Sequence, residues 1–284
     1  MRWKGKRQSE NFEDRRGMSG GKLALGGIGG IVVVLIGLLM GGDPQQLLQG
    51  LQMQTPGEQT NVEISAEEQE LTEFSRVVLA STEDVWQTLY RQQGQTYRPA
   101  ALVVYRDGTQ TGGCGFGATA NGPFYCPADE KVYIDLSFNE ELKNRFGATG
   151  EFAMAYVIAH EIGHHVQLLQ GILPKVQGMR GKLSEREFNK LMVQLELQAD
   201  FYAGVWAHHA NKASEVHIEY DDIEDGIAAA AAVGDDRLQM QSQGYVVPDA
   251  FTHGTSAQRS HWFKKGFETG DLSQGDTFSS PDLQ

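Results

Sequence analysis

The sequence contains only two cysteines among its 284 residues, which excludes a disulfide-rich scaffold and a metal site built from several thiolates. Basic residues are also scarce, since 24 Lys and Arg stand against 37 Asp and Glu and give a formal net charge of −13. Such a chain would repel phosphates, so we expect no nucleic-acid partner. Long apolar runs are absent, with one exception. A charged fraction of 21% with 40% apolar residues is otherwise typical of a folded globular protein.

The exception is the run from Leu23 to Met40, which has 18 residues and no charge. This length is enough to cross a bilayer as a helix. A buried core helix would normally show a polar face, and a cleaved secretory signal would be followed by a site of small residues of the A-x-A type. Neither feature is present, so the sequence predicts an uncleaved transmembrane helix at residues 23–41.

The charges around this segment predict its orientation. Seven Lys and Arg precede it, whereas none follows until Arg76. Positive flanks stay in the cytoplasm, so we expect residues 1–22 to be a cytoplasmic basic tail of a single-pass protein of the inner (cytoplasmic) membrane. Residues 42–66 are rich in Gln, Thr, Glu and Gly and are interpreted as a linker. Residues 67–284 would then form one domain in the periplasm or outside the cell.

The two cysteines fit this location. Cys114 and Cys126 bracket a stretch rich in Gly and Pro. Free thiols are one alternative, and metal ligands are another, although no histidine lies near them in the sequence. An even pair across a short loop in an oxidising compartment favours a disulfide. We therefore predict that Cys114 and Cys126 are bonded.

The segment His160-Glu161-Ile162-Gly163-His164 has the H-E-x-x-H pattern of zinc hydrolases. Two histidines four residues apart lie on one face of a helix and can bind one ion. Glu161 would lie beside that ion and take a proton from water. A helix is expected here because Pro is absent from residues 149–173 and apolar residues recur at helical spacing. The alternative is an amphipathic core helix that happens to contain histidines.

A catalytic zinc site needs a third protein ligand. The metzincin extension of the motif would need Gly at 167 and His at 170, where this chain has Gln167 and Gln170, so that class is excluded. Glu196 borders an apolar stripe on a later predicted helix, a costly place for a carboxylate unless a cation receives it. We predict that Glu196 is the third ligand.

Asp200 lies one helical turn after Glu196 and is predicted to accept the free N–H of His160, fixing the tautomer of that ring. Both acids could instead be solvated on a helix flank. His208 and His209, further along the same segment, are rival ligands, and we interpret them as surface histidines.

The remaining pattern predicts a mostly helical α+β domain with a small sheet. Two helical pieces are expected after Glu67, with a restart at 81–84, and two strands at 101–105 and 131–136. Residues 171–183 are predicted to be irregular, and a capping box at Ser184 opens the helix that contains Glu196. Further helices are predicted at about 222–233 and 256–269.

The chain resembles the bacterial neutral zinc metallopeptidases. The segments that match the family are HEIGHH at 160–165, ELQAD at 196–200, THGTSAQR at 252–259, GPFYCPAD at 122–129 and MRW at 1–3. The resemblance implies a membrane-anchored, zincin-like domain with a gluzincin-type site. It also implies that His253 lies near the metal, where it would stabilise an oxyanion, with Arg259 as a weaker candidate. From the residues alone, His253 could equally be a cap or a core contact.

The predicted function is zinc-dependent hydrolysis of peptide bonds in a protein or peptide substrate. His160, His164 and Glu196 would bind Zn²⁺, and Glu161 would act as the general base. The strand at 131–136, if it is a sheet edge, could align an extended peptide. Two alternatives remain open: a zinc-stabilised binding or scaffold protein without activity, and a cell-wall amidase.

Overall fold

The computed structural model describes residues 1–17, 64–144 and 151–283. The predicted transmembrane helix at 23–41 and most of the predicted linker at 42–66 lie outside the described residues. Within the described ranges, no helix has the length and apolarity that a membrane crossing requires.

Helices dominate the described part of the chain, which confirms the mostly helical α+β class. They are α1 (Ala66–Gln92), α2 (Phe138–Asn144), α3 (Glu151–Leu169), α4 (Ile172–Gln177), α5 (Glu185–Ala213), α6 (Tyr220–Ala232), α7 (Asp235–Gln243) and α8 (Ser256–Thr269). The long helix α5 packs against α1, α3 and α8. Its start is fixed by the predicted capping box, in which Ser184 and Glu187 bond each other's backbone N–H.

The small sheet has four short strands in the order β1-β2-β6-β5, namely β1 (Phe12–Asp14), β2 (Ala101–Tyr105), β6 (Lys131–Asp135) and β5 (Phe124–Cys126). β5 is antiparallel to β6, and the other pairs are parallel. The strand predicted at 131–136 therefore exists, but it is not a sheet edge, because β2 and β5 flank it. The edge next to helix α3 is β5.

A separate two-stranded hairpin is formed by β3 (Gly108–Gln110) and β4 (Phe116–Ala118). The predicted disulfide is present and joins Cys114, in the turn of this hairpin, to Cys126 in β5. It therefore ties the hairpin to the edge strand of the sheet.

The core lies between the long helices and one face of the sheet. Large side chains that are almost fully buried include Trp86 on α1, Phe152 on α3 and Trp206 on α5. The rings of Phe152 and Trp206 stack with their centroids 5.7 Å apart, so α3 and α5 are held together by aromatic packing.

Helix α1 is continuous, so the predicted break at 81–84 is wrong. Ser81 and Thr82 are buried and hydrogen-bonded rather than acting as caps. The Ser81 hydroxyl accepts from the Trp206 indole N–H at 3.0 Å, and the Thr82 hydroxyl donates to the carbonyl of Leu79 at 2.7 Å. Ser and Thr often cap the start of a helix, but here both lie inside one, and their hydroxyl groups are hydrogen-bonded there.

The region predicted to be irregular at 171–183 contains helix α4. Pro174 is the third residue of this helix, and a proline in the first helical turn costs no intrahelical hydrogen bond. The helix α7 was not predicted, because its sequence is largely polar and shows no apolar stripe.

Residues 1–17, which we call the N-terminal arm, pack against the domain instead of forming a separate tail. Strand β1 of the arm extends the sheet beside β2, and Trp3 is buried against Phe74 of α1 with ring centroids 5.3 Å apart. The division of the chain at residues 1–22 and 67–284 therefore does not hold for the arm.

Candidate metal centre

The site is built where helices α3 and α5 approach each other most closely. Gly163, inside the H-E-x-x-H segment, faces Ala199 of α5, and an added Cβ at Gly163 would lie 3.0 Å from both the Cα and the carbonyl oxygen of Ala199. A Cβ at this position would require the backbone of α5 to move by a few tenths of an ångström, and glycine permits the approach without that shift. The close contact brings the histidines of α3 opposite the carboxylates of α5.

Three side chains converge at this crossing. The Nε2 atom of His160 lies 3.1 Å from Oε2 of Glu196, and the Nε2 atom of His164 lies 3.5 Å from Oε1 of the same carboxylate. One ligand atom from each residue lies within 4.8 Å of the other two, and all three residues are buried. Glu196, the predicted third ligand, therefore lies next to the two imidazoles.

The spacing of these atoms fits a small tetrahedral ion. Zinc bonds to nitrogen and oxygen are roughly 2.0–2.1 Å long, so two ligand atoms at corners of a tetrahedron stand about 3.3 Å apart. The observed 3.1 and 3.5 Å bracket that value. Two imidazoles with one carboxylate also match the donor set of catalytic zinc, which leaves the fourth position open.

A buried charged network holds His160. Its Nδ1 atom lies 2.8 Å from Oδ1 of Asp200, which is fully buried and also accepts from the Tyr156 hydroxyl at 2.5 Å. The Arg259 guanidinium binds both oxygens of Asp200, at 2.8 and 2.9 Å. Asp200 therefore lies where it was predicted, next to Nδ1 of His160. The Arg259 guanidinium pairs with the Asp200 carboxylate on this side of the ring.

A neutral network holds His164. Its Nδ1 atom lies 2.9 Å from Oε1 of Gln167. The Gln167 amide nitrogen donates to the carbonyl of Leu195 at 2.7 Å and to Oε1 of Gln198 at 3.0 Å, so both of its N–H groups are used. Gln198 in turn donates to the carbonyl of Gly275 at 2.9 Å. Because Gln167 can only accept from His164, the imidazole keeps its proton on Nδ1 and turns Nε2 toward Glu196.

The pKa values reflect this crowding of opposite charges. Burial lowers the pKa of His160, but Asp200 and Glu196 outweigh it and raise the pKa to about 10. Burial also lowers the pKa of His164, but the neighbouring Glu196 carboxylate raises it by more, so the net change is a rise. The Glu196 pKa is well below its usual value, because the two histidines overcome the opposing effect of burial.

Glu161 opens onto the same cavity as the three converging residues. This cavity of about 500 Å³ is bounded by β5, by helices α3 and α5, and by the segment after α6. Glu161 is only 8% exposed, and its position next to His160 in the chain places it on the cavity wall. An ion bound by His160, His164 and Glu196 would therefore lie in the same cavity as the Glu161 carboxylate.

His253 also lines the cavity and is fixed by Asp235. The Oδ2 atom of Asp235 accepts backbone N–H groups from Thr252, His253 and Gly254, at 2.7, 2.6 and 3.1 Å. Its Oδ1 atom lies 3.2 Å from Nδ1 of the His253 ring. Burial lowers the pKa of His253, whereas Asp235 and Glu196 raise it, with a net rise. The ring is about half exposed toward the cavity.

The comparisons with known proteins agree with this geometry. The family model described as "Putative neutral zinc metallopeptidase" matches residues 1–278. The chain belongs to this family. The chain is 50% identical over 287 residues to the uncharacterized protein YpfJ of Escherichia coli K12, covering 98% of this chain and 99% of that protein.

More distant relatives of the chain occur in mycobacteria. It is 44% identical over 213 residues to the uncharacterized proteins Mb2605 of Mycobacterium bovis and Rv2575 of Mycobacterium tuberculosis, covering 72% of this chain and 69% of theirs. No solved structure gives a significant match. The buried triad of two histidines and a glutamate is consistent with the zinc of the family name.

Two residues that support the site were not predicted from the sequence. Gln167 had a local signal, because it lies three residues after His164 and so shares its helix face. Asp235 had none, since it is 18 residues from His253 and begins the unpredicted helix α7.

The remaining histidines of the motif regions lie outside the triad. His165, adjacent to the motif, is fully buried and bonds the Tyr125 hydroxyl and the Arg98 carbonyl, so it fastens α3 to the sheet. His208 and His209 bond the carbonyls of Phe267 and Gly270 near the end of α8.

Proposed function

We propose that the chain is a zinc-dependent peptidase with a zincin-like architecture and a gluzincin-type site. The observation that carries the proposal is the convergence of His160, His164 and Glu196 in the cavity that Glu161 also lines. A structural zinc site is usually closed by four protein ligands. This one offers three, next to a carboxylate that folding does not need, which supports a catalytic site over the scaffold alternative.

His160, His164 and Glu196 would hold the ion. When bound, zinc supplies Lewis acidity, lowering the pKa of its water to about 7 and polarising the carbonyl of the substrate. Glu161 takes the proton from the attacking water and passes it to the leaving amine, as a general base and then a general acid. His253, oriented by Asp235, donates a hydrogen bond to the developing oxyanion from the cavity wall.

The cavity also suits an extended peptide. Strand β5 pairs with β6 along one edge and carries Phe124 and Tyr125 into the cavity wall. Its other edge can pair with the backbone of an extended peptide substrate. Apolar side chains surround the entrance, including Pro123, Val157 and Leu238. We therefore propose a substrate with an apolar residue beside the scissile bond.

The location of the activity outside the cytoplasmic membrane is part of the proposal. The disulfide between Cys114 and Cys126 supports it, because such bonds persist in oxidising compartments and are rare in the cytoplasm.

The deciding experiment compares wild type with Glu161→Gln on casein and on a mixture of peptides, after zinc analysis of both proteins. We expect equal zinc content and a loss of hydrolysis by about 10²–10⁴-fold in the variant, because general acid–base catalysis contributes on that scale. Wild type should cut next to apolar residues. Full activity in the variant would remove Glu161 from its role, and cleavage of purified wall fragments alone would favour the amidase alternative.

A further inference from the structure

The N-terminal arm is joined to the domain by backbone hydrogen bonds along its length. Arg2 and His217 exchange both backbone bonds of an antiparallel bridge, at 2.8 and 3.2 Å. The Leu102 N–H donates to the carbonyl of Asn11 at 2.9 Å, and Arg15 donates to the carbonyl of Val104 at 2.8 Å. Strand β1 is thus a regular member of the main sheet.

Buried side chains hold the middle of the arm. The carboxylate of Glu83 on α1 accepts from the Ser9 hydroxyl at 2.6 Å and from the Asn11 amide at 2.8 Å. Ser9 is fully buried, and Trp3 is 5% exposed. These contacts are of the kind found inside a domain, and undocking the arm would leave the Glu83 carboxylate without them.

The positive charge of the arm is neutralised by the protein itself. Five of its Lys and Arg side chains form ion pairs with carboxylates, and three of these pairs reach residues of the domain. The pairs are Arg2–Glu219, Lys4–Glu70, Arg7–Glu83, Arg15–Glu13 and Arg16–Asp14. The positive-inside rule is based on basic residues beside a membrane segment. Here three of these side chains pair with carboxylates of the domain and two pair within the arm, which weakens the basis for a cytoplasmic arm.

The two ends of the segment at 18–63 meet at one place on the domain. Asp14 and Arg16 form an ion pair at the end of the arm. Glu68 and Arg106 form a second ion pair where α1 begins. The charge of Arg106 lowers the pKa of Asp14, and that of Arg16 lowers the pKa of Glu68, so the two pairs are neighbours.

We propose that the N-terminal arm and the domain at 64–283 lie on the same side of the membrane. One crossing between residues 17 and 64 would put them on opposite sides and break every contact above. If the domain lies outside the cytoplasm, as proposed from its disulfide, the arm lies there too, in contrast to the orientation predicted from the charges.

Two single cysteine variants of the full-length chain test the sidedness directly. The side chain of Arg2 is 69% exposed, and His217 is an exposed residue, so Arg2→Cys and His217→Cys both offer accessible thiols. Intact cells or spheroplasts are treated with a maleimide that cannot cross the membrane. We expect both variants to be labelled to the same extent.

The double variant Arg2→Cys/His217→Cys tests docking in the same cells. Residues that exchange both bonds of an antiparallel bridge have Cα atoms about 5.5 Å apart, within the range of a disulfide. We expect a bond between positions 2 and 217, found by peptide mapping under non-reducing conditions, in most molecules. Adding Glu83→Ala should lower its yield, whereas Asp84→Asn, which removes only a contact of Arg7, should change it little.

The inference is overturned if the cysteine at 217 is labelled while the one at 2 is protected, and no bond forms between them. Protection of both from the impermeant reagent, with labelling after lysis, would support a shared side and refute only the proposed external location. Peptidase activity is not a readout here, so failure of the proposed function leaves this test unaffected.

Discussion

The two imidazoles of the centre are oriented by groups of different chemistry. His160 faces a carboxylate that Arg259 and Tyr156 also bind, and His164 faces an uncharged amide. A carboxylate partner makes an imidazole a more basic ligand, whereas an amide fixes its tautomer without adding charge. The site thereby contains two buried carboxylates, Glu196 and Asp200, and Arg259 balances the charge of Asp200.

At this scale we predict that Gln167→Leu weakens zinc binding by about 10–100-fold, which is typical of losing such a supporting group. Without the Gln167 oxygen as acceptor, the proton of the neutral His164 ring can lie on either nitrogen, so Nε2 is no longer always free to bind zinc. Chelator competition measures the affinity. Gln170→Leu is the matched control, because Gln170 directly follows α3 and its side chain accepts from the Tyr202 hydroxyl of α5 instead of bonding a histidine of the triad. Equal zinc affinity in wild type and Gln167→Leu would refute the role.

Zinc binding should also release protons. The pKa of His160 is raised from 6.5 to about 10, so its protonated form stabilises the metal-free fold fully below pH 6.5, and this contribution is lost as the pH rises through about 10. Between these limits zinc must displace the proton. We expect calorimetry at pH 8 in buffers of different ionisation enthalpy to show release. Binding heats independent of the buffer would contradict this.

At the scale of elements, the contact between α3 and α5 decides whether the ligands meet. We predict that Gly163→Ala destabilises the domain by about 1–3 kcal/mol, a usual cost of overpacking, and lowers zinc affinity as the helices separate. Denaturant unfolding and chelator competition measure the two effects. Unchanged stability together with unchanged affinity would show that the two helices can separate without disturbing the triad.

The elements that periodicity could identify were those with one clear apolar stripe. Helix α8 has the predicted bounds, 256–269, and α3 lies inside the stretch without proline. Strand β5 was not predicted, because three residues are too few for an alternating pattern. The sheet order was also beyond sequence reasoning, since strand pairing depends on contacts distant in the chain. The convergence of Glu196 with the histidines followed from the cost of burying a carboxylate, whereas the partner of His253 had no comparable signal.

For the whole molecule, we predict that removing the metal leaves the domain folded. The bonds that orient His160 and His164 are made by Asp200 and Gln167, and α3 is held to α5 by the stacked rings of Phe152 and Trp206, neither of which is a ligand. A chelator should therefore preserve the circular dichroism spectrum and cooperative thermal unfolding, with a lower midpoint because a stabilising ligand is lost. Complete unfolding on chelation would favour the scaffold alternative, in which zinc serves folding.

The dependence of Asp200 on Arg259 has a consequence for biosynthesis. Arg259 is encoded near the end of the chain, and without it the buried Asp200 carboxylate loses its principal countercharge. A ribosome releases residues in order, so the nascent chain carries both histidines and Glu196 long before α8 emerges. If the site hydrolyses peptides as proposed, we expect a chain released before residue 256, which lacks Arg259, to be inactive although it already contains His160, His164 and Glu196.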